Sequence, residues 1–194
     1  MVEHLVCNQG VAGSNPVIST RMEPIVLFGI QFTLSLAAYL LIAFWYVAPR
    51  LSRLPRELAL VPLLWVHAFR IVGGTILAPG AVGPGVPMEF RRMVGYGDMA
   101  TAFLALLALV ALRRHLPRAI AFVWLFVTVG MLDTVNAVIQ SMRFKVFDYA
   151  LGVNWVIVTV YVPALLVSSL LILMQLLGPI HSTPSGEQAL SGRP

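Results

Sequence analysis

The sequence predicts an all-α, polytopic membrane protein: a bundle of five transmembrane helices, N-terminus out and C-terminus in. Three observations carry this reading. Of 194 residues, 59% are hydrophobic and 11% charged, where a soluble domain carries about a quarter charged residues. The apolar residues gather into five runs, most of them close to the roughly 20 helical residues that cross a hydrocarbon core. The remaining charges sit in short clusters between the runs, where membrane topology signals belong.

Residues 1–21 stand apart. Gly13-Ser14-Asn15-Pro16 can be written GGT-TCG-AAT-CCN, the T-arm sequence of a transfer-RNA gene, and the flanking residues read as the rest of such a gene translated by mistake. The stretch also lacks a basic n-region followed by an apolar h-region, so it does not read as a secretory signal. The expectation is a non-native or disordered extension, with the natural start at Met22.

The first span is expected over 24–47, introduced by Glu23-Pro24 and closed by Trp45-Tyr46, an aromatic pair suited to a membrane interface. The second, over 58–77, follows Pro55, which is tolerated at a helix start because its missing N–H would be unpaired there anyway. The third is the shortest, about 97–112, with Met93 to Tyr96 as a possible addition. The fourth is expected over 119–139 after Pro117, and the fifth over 151–177. Beyond Gly178-Pro179 the composition is that of a disordered tail, 178–194.

Orientation follows from the basic residues of the short loops. Arg50, Arg53, Arg56, Arg113, Arg114 and Arg118 make six on one side, against Arg91, Arg92, Arg143 and Lys145, four on the other. The six mark the inner face. This topology also accounts for the net charge of +5, so no nucleic-acid partner is expected. Cys7 is the single cysteine, and no Cys/His set has zinc spacing. Neither a metal nor a cofactor is expected.

The outer loop, 78–87, holds too many Gly and Pro residues for a helix or a strand. It leads into Met88 to Val94, an amphipathic stretch expected to lie on the membrane surface or fold over the bundle. The loop reads either as a plain connector or as a lid.

Polar residues inside the spans are the functional candidates, because an ionisable group in hydrocarbon costs several kcal/mol unless paired. Arg70 lies roughly 12 Å below Ala78 and Asp133 roughly 10 Å below Gln140, at 1.5 Å per helical residue. Gln31 falls at a similar depth, Asp98 is shallower and Tyr161 deeper. His67, Arg70 and Gly74 share one helical stripe, as do Asp133, Asn136 and Gln140. The expectation is Arg70 paired with Asp133 or with Asp98, the choice left open, with His67 and the amides completing the network. The candidate ligand-binding set is thus His67, Arg70, Asp98, Asp133, Asn136, Gln31 and Tyr161. The bland alternatives are an ion pair that only fixes helix register, a packing histidine at His67 and a helix-start charge at Asp98.

The pattern His67-x-x-Arg70-x-x-Gly73, then Gly95-Tyr-Gly-Asp98, Trp124, Gly130 with Asp133, and Val162-Pro163 resembles a group of small uncharacterised bacterial inner-membrane proteins. The resemblance runs from the second span to the fifth. It implies a bacterial inner (cytoplasmic) membrane location and that Arg70, Asp98 and Asp133 belong together. It carries no activity.

Several chemistries are disfavoured. Lys145 is the only lysine and falls in a loop, which argues against a retinal Schiff base. The HExxH, P-loop and dinucleotide patterns do not occur, and no motif marks Ser35 as an activated nucleophile. The leading expectation is a membrane protein that binds or transports a small anionic molecule or a lipid in an outward-facing polar cavity, working as a homodimer because five spans are few for a transporter. The alternatives are a non-catalytic subunit or assembly factor, and a membrane enzyme acting on lipid or quinone with Asp98 or His67 as acid/base.

Overall fold

Prolines and glycines set most of the helix ends in the computed structural model, which describes residues 23–178. Five helices are long and apolar enough to cross a membrane: α1 Pro24–Leu51, α2 Arg56–Leu77, α3 Met88–Arg113, α4 Ala119–Arg143 and α5 Val153–Leu177. No strand occurs among the described residues. Pro24, Pro55 and Pro87 stand at or just before the first turns of α1, α2 and α3, where no N–H bond is lost. Gly152, at φ +54°, turns the chain into α5. The expected extension over 1–21, the start at Met22 and the tail beyond Gly178 lie outside the described residues.

The third helix differs from expectation. It starts at Met88 rather than near Gly97, so the amphipathic stretch forms its first two turns instead of a separate surface segment. The reason lies in its side chains. Phe90 is buried in an apolar cluster, and Arg91 donates to the carbonyls of Ile76, Leu77 and Ala78 at 2.9, 3.4 and 3.3 Å. The Ile76 and Leu77 carbonyls end α2 and have no amide partner of their own within the helix.

Three helices depart locally from α geometry. The residues Ala43–Val47 of α1 and Ile157–Tyr161 of α5 are wound as π turns, and each is followed two residues later by a proline, Pro49 and Pro163. A helical proline loses the bond to the carbonyl four residues back and its ring crowds that turn; the wider π turn accommodates both effects. In α2, residues Phe69–Leu77 form a 3-10 segment, longer than the usual few residues. Its three buried residues, Arg70, Gly73 and Ile76, recur every third position, as a three-residue repeat requires.

Around the bundle the order is α1, α5, α2, α3, α4, with α3 packed along both α2 and α4 and α5 along α2 and α1. None of the residues Pro24–Ile42 of α1 is buried. At the end carrying the arginine clusters the core is mostly aliphatic, built on Leu60, Leu64, Ala105, Val123 and Ile172 around the ring of Phe126. A second cluster, with Ile76, Phe90, Phe147 and Leu151, fills the long-loop end. The loop over 78–87 is docked against it: Gly83 N–H donates to Ala150 O at 2.6 Å, and Val82 and Val86 are buried. Between the two clusters lie the charges.

Candidate functional site

Arg70 bridges two carboxylates from two different helices. Its Nε donates to Asp98 Oδ1 of α3 at 2.5 Å and its Nη2 to Asp133 Oδ2 of α4 at 2.6 Å. Nη1 lies 3.4 Å from Gly130 O. The arginine side chain is only 5% exposed, the two carboxylates 15% and 13%. At this burial charge-assisted bonds are strong, and leaving any one member alone is costly. The expectation of one partner or the other thus resolves into both at once.

Glycines make the approach possible. A Cβ on Gly73 would collide with the Asp98 carboxyl, and a Cβ on Gly97 with the Asp133 carboxyl. On Gly95 it would meet Leu77 Cγ at 2.6 Å. The Gly95-Tyr-Gly-Asp98 sequence therefore brings α3 close to α2 with its first glycine, admits Asp133 with its second and supplies a carboxylate with its aspartate. Close packing of this kind is what small residues do in membrane helices.

Against the charges lies a cavity of about 100 Å³. Arg70, Asp98, Thr134, Ser141, Asn154 and Tyr161 supply its polar edge, and its remaining walls are mostly apolar, with Phe90, Val138, Phe147, Val158, Val162 and Leu165 prominent. Asp133 does not line it. The side walls come from α4 and the π-wound part of α5, which make almost no direct contact with each other here.

A sequence profile of the family described as Domain of unknown function (DUF8737) matches residues 27–177. The chain belongs to this family. No curated protein and no solved structure matches the chain. The DUF8737 domain takes in all five helices from Leu27 onward, and with them the Arg70 cluster, its glycines and the cavity.

Within the domain the other candidate residues are placed less centrally than expected. Gln31 does not reach Arg70; its Oε1 accepts from Trp155 Nε1 at 2.6 Å. Asn136 Oδ1 accepts from Gln140 Nε2 at 3.4 Å, facing along its own helix. His67 is buried edge-on against Phe126, with Ser169 Oγ 3.5 Å from Nε2 and no partner for Nδ1 among the described residues. Tyr161 lines the cavity and donates its hydroxyl to Val66 O at 2.5 Å. That carbonyl falls where α2 passes from α to 3-10 winding, a change of hydrogen-bond step that leaves one carbonyl without an amide.

Two cavity residues carried no signal in the sequence reading. Thr134 donates to Gly130 O at 2.8 Å. Asn154 is buried, accepts from Thr75 Oγ1 at 3.3 Å and donates to Ala81 O at 3.3 Å, tying α5 to the α2–α3 loop. A lone Asn near a helix start reads as an ordinary turn residue. Among the described residues no cluster of three or more His, Cys, Asp or Glu has metal-holding geometry.

Proposed function

We propose that this protein lies in a bacterial inner membrane, N-terminus out and C-terminus in, and binds a small molecule or lipid in the cavity between its helices. The observation that carries the reading is the Arg70–Asp98–Asp133 cluster placed at the edge of an apolar cavity. An ion-paired group in hydrocarbon is a functional site by default, and apolar walls with a few convergent polar groups form the usual small-molecule site. In this orientation the cavity occupies the outer half of the membrane. Arg70 is a poor receptor for a free anion, because each of its nitrogens already faces an acceptor. The test is mass spectrometry of small molecules and lipids co-purified with wild type and with Ala137→Phe, which fills the cavity. A species enriched on wild type and depleted on the variant is expected. Identical profiles refute the proposal.

The full engagement of Arg70 favours a second reading, in which the cluster only locks α2, α3 and α4 in register for a non-catalytic subunit or assembly factor. This reading requires that apolar replacement of all three residues leave the protein's cellular role intact.

A further inference from the structure

The three hydroxyl groups facing the cavity are of one kind. Tyr161, Thr134 and Ser141 all commit their hydroxyl hydrogens to backbone carbonyls, at 2.5, 2.8 and 2.7 Å. What each oxygen still offers is a lone pair. Asp98 gives Oδ1 to Arg70, while Oδ2 stands beside Gly73 with no donor among the described residues. The edge of the cavity is rich in acceptors.

Charge says the same. One guanidinium sits between two carboxylates, a formal balance of −1, and among the described residues no other cation pairs with either aspartate. A charge left over in a buried site is costly until a proton, a counter-charge or a donor meets it. A ligand that donates hydrogen bonds and carries one positive charge completes this site; an anion does not.

Shape limits the ligand further. A volume of about 100 Å³ holds several water-sized groups, enough for a head group and its first carbons. The walls of α4 and α5 stand apart, and Val138 on the rim is 52% exposed, so a chain can pass sideways between them. Resting on the cavity reading above, we infer that the site takes the ammonium head of a single-chain alkylamine-type amphiphile from the bilayer. The head sits on Asp98 Oδ2 among the Thr134 and Tyr161 oxygens, and the chain leaves between α4 and α5.

The test uses the full-length protein in non-ionic detergent, with native mass spectrometry titrations of octylamine, octanol, octanoate and methylammonium. A charge-assisted hydrogen bond predicts octylamine binding about tenfold or more tighter than octanol and octanoate. Asp98→Asn should reduce that preference to less than about twofold. Val138→Trp, at an exposed position, should weaken all three chain ligands together. Methylammonium should bind at least about tenfold more weakly than octylamine, because it lacks the chain contacts. The wild-type comparison needs no variant, so a misfolded Asp98→Asn leaves it standing. Chain ligands that bind without head-group preference, a preference for octanoate, or methylammonium binding as tightly as octylamine overturns the inference and leaves the cavity reading intact. If no chain ligand binds saturably, the inference falls, and the cavity reading falls with it when the co-purified profiles of wild type and Ala137→Phe are also identical.

Discussion

Replacing Gly97 by alanine isolates the packing of the charge cluster from its chemistry. In a helix interior Gly→Ala ordinarily gains roughly 0.5–1 kcal/mol. At Gly97 the new methyl would collide with the Asp133 carboxyl, lying 2.8 Å from its Cγ. The methyl belongs to the backbone of α3 and cannot give way, so the carboxyl must swing off Arg70 Nη2. The loss of one buried charge-assisted bond, about 1.5–3 kcal/mol, outweighs the helix gain and leaves a net destabilisation of about 1–2 kcal/mol. Gly29 supplies the control, since a Cβ there meets nothing within 4 Å and Gly29→Ala should be neutral or slightly stabilising. Unfolding of the purified protein by denaturing detergent, followed by circular dichroism, gives both values. A cycle with Asp133→Ala sharpens the test: the two changes should be far from additive, because each removes the same contact. If Gly97→Ala matches Gly29→Ala in stability, Asp133 does not pack over Gly97 and the account of the glycine motif fails.

The same unfolding assay should find Arg70→Met destabilised by about 3–5 kcal/mol. The triple variant Arg70→Met, Asp98→Leu, Asp133→Leu should recover most of that loss; a triple variant worse than the single would mean that the pairs add net stability. Tyr161→Phe should cost about 1 kcal/mol through the orphaned Val66 carbonyl, an effect that vanishes if the hydroxyl is not donated there. Arg91→Ala should speed amide hydrogen exchange over Leu77 to Gly83, while leaving the arginine-cluster end unchanged; equal protection in both proteins would dismiss the cap. For orientation, single cysteines at Glu89 and at Arg118 in a Cys7→Ser background should react differently with an impermeant maleimide on intact cells. Labelling at Arg118 but not at Glu89 would reverse the proposed topology.

Hydropathy located the middles of the five helices and misjudged some ends, most clearly at Met88. A helix start carrying Glu89, Arg91 and Arg92 looks like a loop to any scale that counts apolar residues, although Arg91 serves there to cap carbonyls. That error carried into the site. With α3 started near Gly97, Asp98 fell within its first turn, so depth favoured Asp133 while the adjacency of the helices favoured Asp98, and the choice stayed open. With the helix begun at Met88, Asp98 lies roughly 15 Å along it, deep enough to share the arginine. Position along the helix was therefore legible for Arg70 and Asp133 but not for Asp98, and azimuth was not legible. Gln31 has a suitable depth but turns toward Trp155, and no spacing within one helix fixes how that helix is rotated against its neighbours. The 3-10 winding of α2 was equally hidden, although its Gly73-Gly74 pair and β-branched neighbours are weak helix formers.

That winding sets the length of α2. At about 2.0 Å per residue instead of 1.5 Å, the nine residues Phe69–Leu77 reach roughly 4–5 Å farther than an α-helix of the same sequence. Each also turns about 20° more, so the far end is rotated by nearly half a turn. Relaxed to α geometry, the segment would pull the 78–87 loop down toward the arginines and carry Gly73 away from Asp98. The reach of α2 to the loop and the seating of the Asp98 carboxylate are consequently one structural quantity, and whatever holds that carboxylate in place also holds the helix extended.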